Sequence, residues 1–191
     1  MISVLKILEN LDRDDGLEVS KLEKSLRLTK KVDKDNLNIA IDALKKLGIV
    51  QIVNDQKINL NKDNAFLQGR VRCSSKGYCF VVRDDQGEDI YIRESNLNNA
   101  WHGDSVIVLI TKQGVKRRAP EGKIQCVLQR HNDLLLAKVE PDKSNGELRA
   151  YPLDDRIPVT IELENNTKFR NNLPNKDLIH EIQINKYPIA Q

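Results

Sequence analysis

The chain has 191 residues, of which 39% are hydrophobic, 31% charged and 4% aromatic, with a formal net charge of +3. That composition excludes a disordered or low-complexity polymer, and no apolar run approaches the ~18 residues that a membrane-crossing helix needs. The length allows one large domain or two to three small ones.

The N-terminus, Met1-Ile2-Ser3-Val4-Leu5-Lys6, lacks a basic stretch followed by an apolar one, so no signal peptide is expected. Val4, Ile7, Leu8 and Leu11 recur at helical spacing and predict a first amphipathic helix. Asp12 to Gly16 is a polar break. Ser20-Lys21-Leu22-Glu23 has the form of a capping box opening a short second helix. A third helix is predicted from near Asp33, presenting Leu37, Ala40, Ile41, Leu44 and Leu47 before Gly48 stops it. Ile49 to Val53 and Lys57 to Leu60 flank Asn54-Asp55-Gln56 as a hairpin. Three helices and a hairpin over residues 1–62 predict a winged helix-turn-helix. The exposed positions of its third helix mix signs (Lys34, Asp35, Asn38, Asp42, Lys45, Lys46), and carboxylates facing phosphates oppose duplex binding. An RNA-guiding or protein-contacting accessory is expected rather than a sequence-specific DNA reader.

From Phe66 the hydrophobic period changes to two, with turn signals between short runs. Leu67, Gly69, Val71 and Cys73 alternate with Gln68, Arg70, Arg72 and Ser74, and strands follow through Tyr78–Val82, Ile90–Ile92, Asp104–Thr111 and Gly122–Leu128. Five short strands over 65–130 predict a small antiparallel oligonucleotide-binding (OB) barrel. Charge singles out this segment: residues 1–64 carry +1, 65–130 carry +4 and 131–191 carry −2. Five of the eight aromatics lie in it, namely Phe66, Tyr78, Phe80, Tyr91 and Trp101. Basic charge interleaved with rings on short strands suits single-stranded nucleic acid. The three cysteines, Cys73, Cys79 and Cys126, have no metal-type spacing and are expected to be reduced thiols of a cytoplasmic protein.

Strand parity sorts the faces. Tyr78 and Phe80 point one way, and if Ile90 and Ile92 are core, Tyr91 and Arg93 point outward. Pairing of the two strands would make Tyr78, Phe80 and Tyr91 one platform edged by Arg70, Arg72, Lys76 and Arg93. Bases stack on such rings for about 1–3 kcal/mol each, while cations hold phosphates. At His102-Gly103-Asp104 a histidine stands beside a carboxylate, yet a turn capped by Asp104 at a strand entry explains it better than catalysis. Trp101 beside it is either a lid on the barrel or an RNA contact.

Lys76-Gly-Tyr-Cys-Phe-Val resembles the first ribonucleoprotein motif of cold-shock domains, and Asp89-Ile-Tyr-Ile the second. Asn99-Ala-Trp-His-Gly-Asp-Ser-Val, Arg117-Arg-Ala-Pro-Glu-Gly-Lys-Ile and Val127-Leu-Gln-Arg follow in order. This succession resembles the first cold-shock domain of the ribonuclease II / ribonuclease R family of 3′→5′ exoribonucleases, whose bacterial members commonly carry a winged helix in front of it. The resemblance puts Tyr78, Phe80 and Tyr91 at base-stacking positions and Lys76 and Arg72 at phosphate contacts. It departs from the pattern at Cys79, where a glycine is usual, and near Cys73, where stand-alone cold-shock proteins carry a further aromatic.

Residues 131–191 read as a second, divergent or truncated OB/cold-shock-like domain. Leu134–Glu140, Val159–Leu163 and His180–Ile184 are its predicted strands, and Leu153-Asp-Asp-Arg-Ile-Pro resembles a step of the family's second barrel. Arg149, Arg156, Lys168 and Arg170 are candidates for weak contacts. The chain stops at Gln191, where the resemblance implies a closing strand and then a catalytic domain. The fold class expected is therefore α+β and multidomain, with a winged helix before two small all-β OB/cold-shock barrels, the second divergent or incomplete. The family cleaves phosphodiesters with magnesium held by clustered aspartates in that catalytic domain. Here Asp14-Asp15, Asp84-Asp85 and Asp154-Asp155 each lie in a turn, so no catalytic residue and no metal ligand is expected. The expected partner is single-stranded RNA, gripped without a base code, with a catalytic nuclease domain supplied elsewhere in a longer protein. A stand-alone RNA-binding regulator or chaperone, or a nuclease-interacting protein, is the alternative.

Overall fold

The computed structural model describes residues 4–11, 16–53, 57–61, 66–142, 146–164 and 178–187. Its first unit holds helices α1 (Val4–Leu11), α2 (Val19–Ser25) and α3 (Lys31–Lys46), with strands β1 (Leu17–Glu18), β2 (Val50–Val53) and β3 (Lys57–Leu60). Helical spacing aims Ile7, Leu8 and Leu11 of α1 at Leu22 of α2 and at Leu37, Ile41 and Leu44 of α3. Strand β3 lies between β1 and β2, and its Ile58 closes this core. The turn at Asn54–Gln56 lies outside the described residues.

The capping box at Ser20 does not form. Leu17 and Glu18 pair with Ile58 and Lys57, so the strand runs directly into a helix that starts at Val19 and leaves Ser20 inside its first turn. The Ser20 hydroxyl donates instead to the Glu18 carboxylate at 3.3 Å, and Lys21 Nζ pairs with the same group at 3.2 Å. These bonds hold the Glu18 carboxyl below the usual carboxylate range. Helix α3 begins at Lys31, earlier than expected, which places Asp33 in the first turn, where the helix dipole favours a carboxylate.

Strands β4 (Phe66–Cys73), β5 (Cys79–Arg83), β6 (Ile90–Ile92), β7 (Ser105–Lys112) and β8 (Glu121–Gln129) close as an OB barrel in the order β4-β5-β6-β8-β7. Pairing is antiparallel throughout except between β6 and β8. Inward positions alternate as the period of two requires, burying Val71, Val81, Ile90, Ile92, Val106 and Ile124. Gly122 is required by packing. A methyl group there would lie 2.7 Å from both Ile90 Cγ2 and Val108 Cγ2.

Two of the three cysteines depart from expectation. Cys73 and Cys79 face each other across the β4–β5 register and are joined by a disulfide, whereas Cys126 is free. Strand pairing sets this: the six-residue separation returns the second thiol directly opposite the first. Burial pushes the Cys126 thiol up to about 11.

The barrel shares a core with the first unit. Ile107 on β7 and Leu128 on β8 are buried among Ile7, Leu8 and Leu11, with Phe66 and Cys126 at the margin. Phe66 is thus a packing residue between units. Beyond the barrel, β9 (Leu134–Pro141), β10 (Leu148–Pro152), β11 (Ile161–Glu162) and β12 (Ile179–Gln183) form a sheet in the order β11-β10-β9-β12. Its core is small, with Ala137, Val139, Leu148 and Ala150 buried. Among the described residues this sheet is open, not closed. Lys168 and Arg170 lie outside the described residues.

Candidate nucleic-acid interface

The β4–β5–β6 register builds the outer face of the barrel. Arg72 stands opposite Phe80, and Phe80 opposite Tyr91, so a cation and two rings form one row across three strands. The Phe80 and Tyr91 ring centroids are 5.4 Å apart at an interplanar angle of 57°, a tilted pair. Both rings are half-buried, while Tyr78 is 57% exposed. Tyr78 ends the loop 74–78, where Gly77 adopts φ +81, a left-handed conformation that favours glycine. Ser74 organises this loop: its N–H donates to Tyr78 O at 2.8 Å, and its Oγ accepts from Tyr78 N–H at 3.3 Å.

The cations divide into two groups. Arg70, Arg72 and Lys76 are exposed and have no acidic partner within salt-bridge distance among the described residues. Arg93 is engaged instead, because its Nε and Nη2 both donate to Glu121 Oε2, at 3.1 and 2.8 Å. Lys112 Nζ approaches the other Glu121 oxygen at 3.6 Å. Burial alone would raise the Glu121 carboxyl, but Arg93 and Lys112 outweigh it and hold the group below its ordinary value. Glu121 follows Tyr91 in the row.

Two residues that the sequence places in a family-like motif, but not among the expected RNA contacts, complete the face. Arg117 and Arg118, exposed in the β7–β8 connection, line a depression with Phe80, Tyr91, Arg93 and Glu121. The basic run Lys116-Arg117-Arg118 was the available signal, but only the fold carries that connection back over the rings. On the other side of Phe80, a second depression is lined by Arg72, Ser74, Tyr78, Glu88 and Asp89. The surface is therefore ringed and basic, with acidic groups at two edges.

Trp101 does not belong to this face. It is 8% exposed and packs with Leu135, Ile157 and Ile184 between the barrel and the last sheet. Its ring lies 5.1 Å from that of Tyr187, and the Arg130 guanidinium stands over both, 4.3 Å from Tyr187 and 5.8 Å from Trp101. Of the two roles left open for it, packing is the one the fold gives. The neighbouring Asp104 is fully buried and accepts from Trp101 N–H (2.8 Å), Arg130 Nη1 (2.8 Å) and His131 N–H (3.0 Å). His102 Nδ1 accepts from Cys73 N–H at 3.0 Å, and burial first, with Arg156 nearby, lowers the imidazole below its ordinary value. The ring thus serves as a backbone acceptor.

Among the described residues, no three His, Cys, Asp or Glu side chains converge to hold a metal ion. Asp85 is tied to Arg83 and Asp154 to Arg156, each two residues away in its own turn. Asp14 and Asp15 lie outside the described residues. Arg149 is likewise paired, its Nε 3.0 Å from Asp142 Oδ2.

Two family patterns match the chain. That of the ribonuclease B OB domain covers residues 69–127, and that of the cyanobacterial RNase R N-terminal domain covers residues 5–61. A curated relative, the acetazolamide conferring resistance protein zam of Synechocystis sp. (strain ATCC 27184 / PCC 6803 / Kazusa), is 41% identical over 180 residues. The match takes in 93% of this chain and 22% of that protein, so the chain spans about a fifth of the relative's length. Among solved structures, the apo form of Mycoplasma genitalium RNase R has a TM-score of 0.48 at 21% identity, over 63% of this chain and 19% of that one. Yeast Ssd1, a pseudonuclease, has a TM-score of 0.47 at 19% identity, over 64% and 21%.

Proposed function

The chain carries the N-terminal region of the ribonuclease II/R family, and from that premise we propose that its barrel captures single-stranded RNA for a 3′→5′ exoribonuclease. The observation that carries this reading is the row Arg72–Phe80–Tyr91 on the barrel's outer face. Bases stack on Phe80, Tyr91 and the exposed Tyr78, while Arg70, Arg72, Lys76, Arg117 and Arg118 hold phosphates. Stacking is available to every base, so the grip is tolerant of sequence. In this reading residues 1–62 are a winged helix and 131–191 a second OB-like unit, both accessory to the barrel rather than cutting RNA. Hydrolysis, with its magnesium, belongs to a catalytic domain of the full-length protein outside residues 1–191.

The first unit fits an accessory role. Along α3, Val32 and Ile39 are exposed beside Asp35 and Asp42, a face that suits a protein surface better than duplex phosphate.

The test is a fluorescence anisotropy titration with labelled oligo(U) and oligo(A) of roughly ten nucleotides, within the ~4–16 that an OB fold covers. Both should bind, and a duplex of the same length should compete poorly. Binding that favours the duplex would overturn the proposal.

A further inference from the structure

The cysteines of the barrel do more than fill its core. Cys73 ends β4, Cys79 begins β5, and the five residues between them form the loop that presents Lys76 and Tyr78. Both sulfurs face inward, against the core of Val71, Val81 and Ala100. Their residues also line a cleft of about 410 Å³ between the barrel and residues 156–159, together with Gly77, Trp101 and His102. The bond is thus packed against the barrel core, and the cleft that its two residues border is the side from which a thiolate would approach it.

We propose that the Cys73–Cys79 disulfide is a reversible latch on the RNA-binding loop, opened by a dithiol reductant through the cleft beside Trp101 and His102. The inference rests on the reading of the barrel face as an RNA platform. Opening proceeds by exchange. A thiolate of the reductant attacks one cystine sulfur and forms a mixed disulfide, and the other sulfur leaves as a thiolate that takes a proton from water. The reductant's second thiol then attacks the mixed disulfide, closes the reductant's own disulfide and releases the remaining cysteine. Two electrons and two protons pass from the dithiol to the protein, and the reverse exchange with an oxidised dithiol closes the latch.

The consequence for the platform follows from packing. Two thiols are farther apart than two bonded sulfurs, and the dense core around them has little room to absorb the change. Within the loop the remaining ties are the Ser74 hydrogen bonds, and Tyr78, at 57% exposure, has little packing to fix it. RNA must pay to order Tyr78 and Lys76 before using them. Cys126 does not compete in the exchange, because it lies at the seam with the first unit, and burial keeps it a protonated thiol.

The experiment measures oligo(U) affinity of the whole chain under oxidising conditions and after reduction by dithiothreitol. Alkylation and mass spectrometry count the free thiols in each state. Reduction should expose Cys73 and Cys79 to alkylation and weaken binding about three- to tenfold, the cost of ordering one or two side chains. Reoxidation should restore it. The Cys73→Ala/Cys79→Ala variant should bind at the reduced level in both conditions. Circular dichroism should stay unchanged, with amide shifts confined to residues near 72–80. Equal affinity in the two states, or loss of the folded spectrum on reduction, overturns the latch. No binding in either state overturns the platform reading instead.

Discussion

Arg93 and Glu121 are locked together: two guanidinium nitrogens donate to one carboxylate oxygen, at 2.8 and 3.1 Å. Arg93 therefore contributes less free positive charge to the face than its position suggests. Glu121→Gln should release it, strengthening oligo(U) binding and steepening the dependence on salt by about one ion. Titrations at several salt concentrations measure this, and an unchanged slope would show that Arg93 is already free.

Arg117 and Arg118 behave oppositely. Among the described residues neither has an acidic partner within salt-bridge distance, and both border the depression at Phe80 and Tyr91. Replacing both by alanine should weaken binding to all sequences alike and reduce the salt slope by about two. A loss confined to one base composition would point to base reading instead.

The rings give a larger effect. Tyr78→Ala with Phe80→Ala should lower affinity at least about tenfold, since each stacked base is worth about 1–3 kcal/mol. Thermal unfolding should change little for Tyr78→Ala alone, because that ring is mostly in solvent. Retained affinity in the double variant would remove the platform.

Asp104 is a stability residue. Its buried carboxylate holds Arg130 and two backbone N–H groups across the junction between barrel and last sheet. Asp104→Ala leaves the half-buried Arg130 without its partner and should cost about 3–5 kcal/mol in urea unfolding. Pairing it with Arg130→Met should recover part of that loss. No recovery would mean that the backbone bonds, rather than the ion pair, carry the effect.

His102 sets a pH dependence. Its folded value lies below the ordinary 6.5, so the unfolded chain binds the proton more readily. The stability it contributes is fully present above pH 6.5 and declines as the solution is acidified through that value toward the folded one. Protonation also removes the acceptor for Cys73 N–H. The melting temperature should fall between pH 7.5 and 5.5, and His102→Asn should flatten that part of the curve. An NMR titration giving a value above 6.5 would contradict it.

Much of this was legible in the chain. Alternation around Val71, Val81, Ile90 and Ile92 fixed which side of each barrel strand is core, and that parity placed Phe80 and Tyr91 on a common outer face. Composition could not reveal partners brought together from afar. Trp101 read as a ring among basic residues, yet its neighbours Ile157, Ile184 and Tyr187 come from the far end of the chain. Cys73 and Cys79 read as thiols until strand register set them opposite one another. Ser20 matched a cap by spacing, but β1 claims the residues before it and moves the helix start. In each case a local signal was correct about residue type, and long-range pairing decided the role.

The seam at Ile107 and Leu128 bears on how this molecule can be divided. Cutting at the sequence boundary near residue 64 would strip α1 from β8 and leave an oily flank on the barrel's β7 and β8 strands. Such an excised barrel would tend to self-associate through that flank, leaving the rings on β5 and β6 unblocked. A piece that keeps that flank covered and still reports on the aromatic face begins at α1 and not at β4.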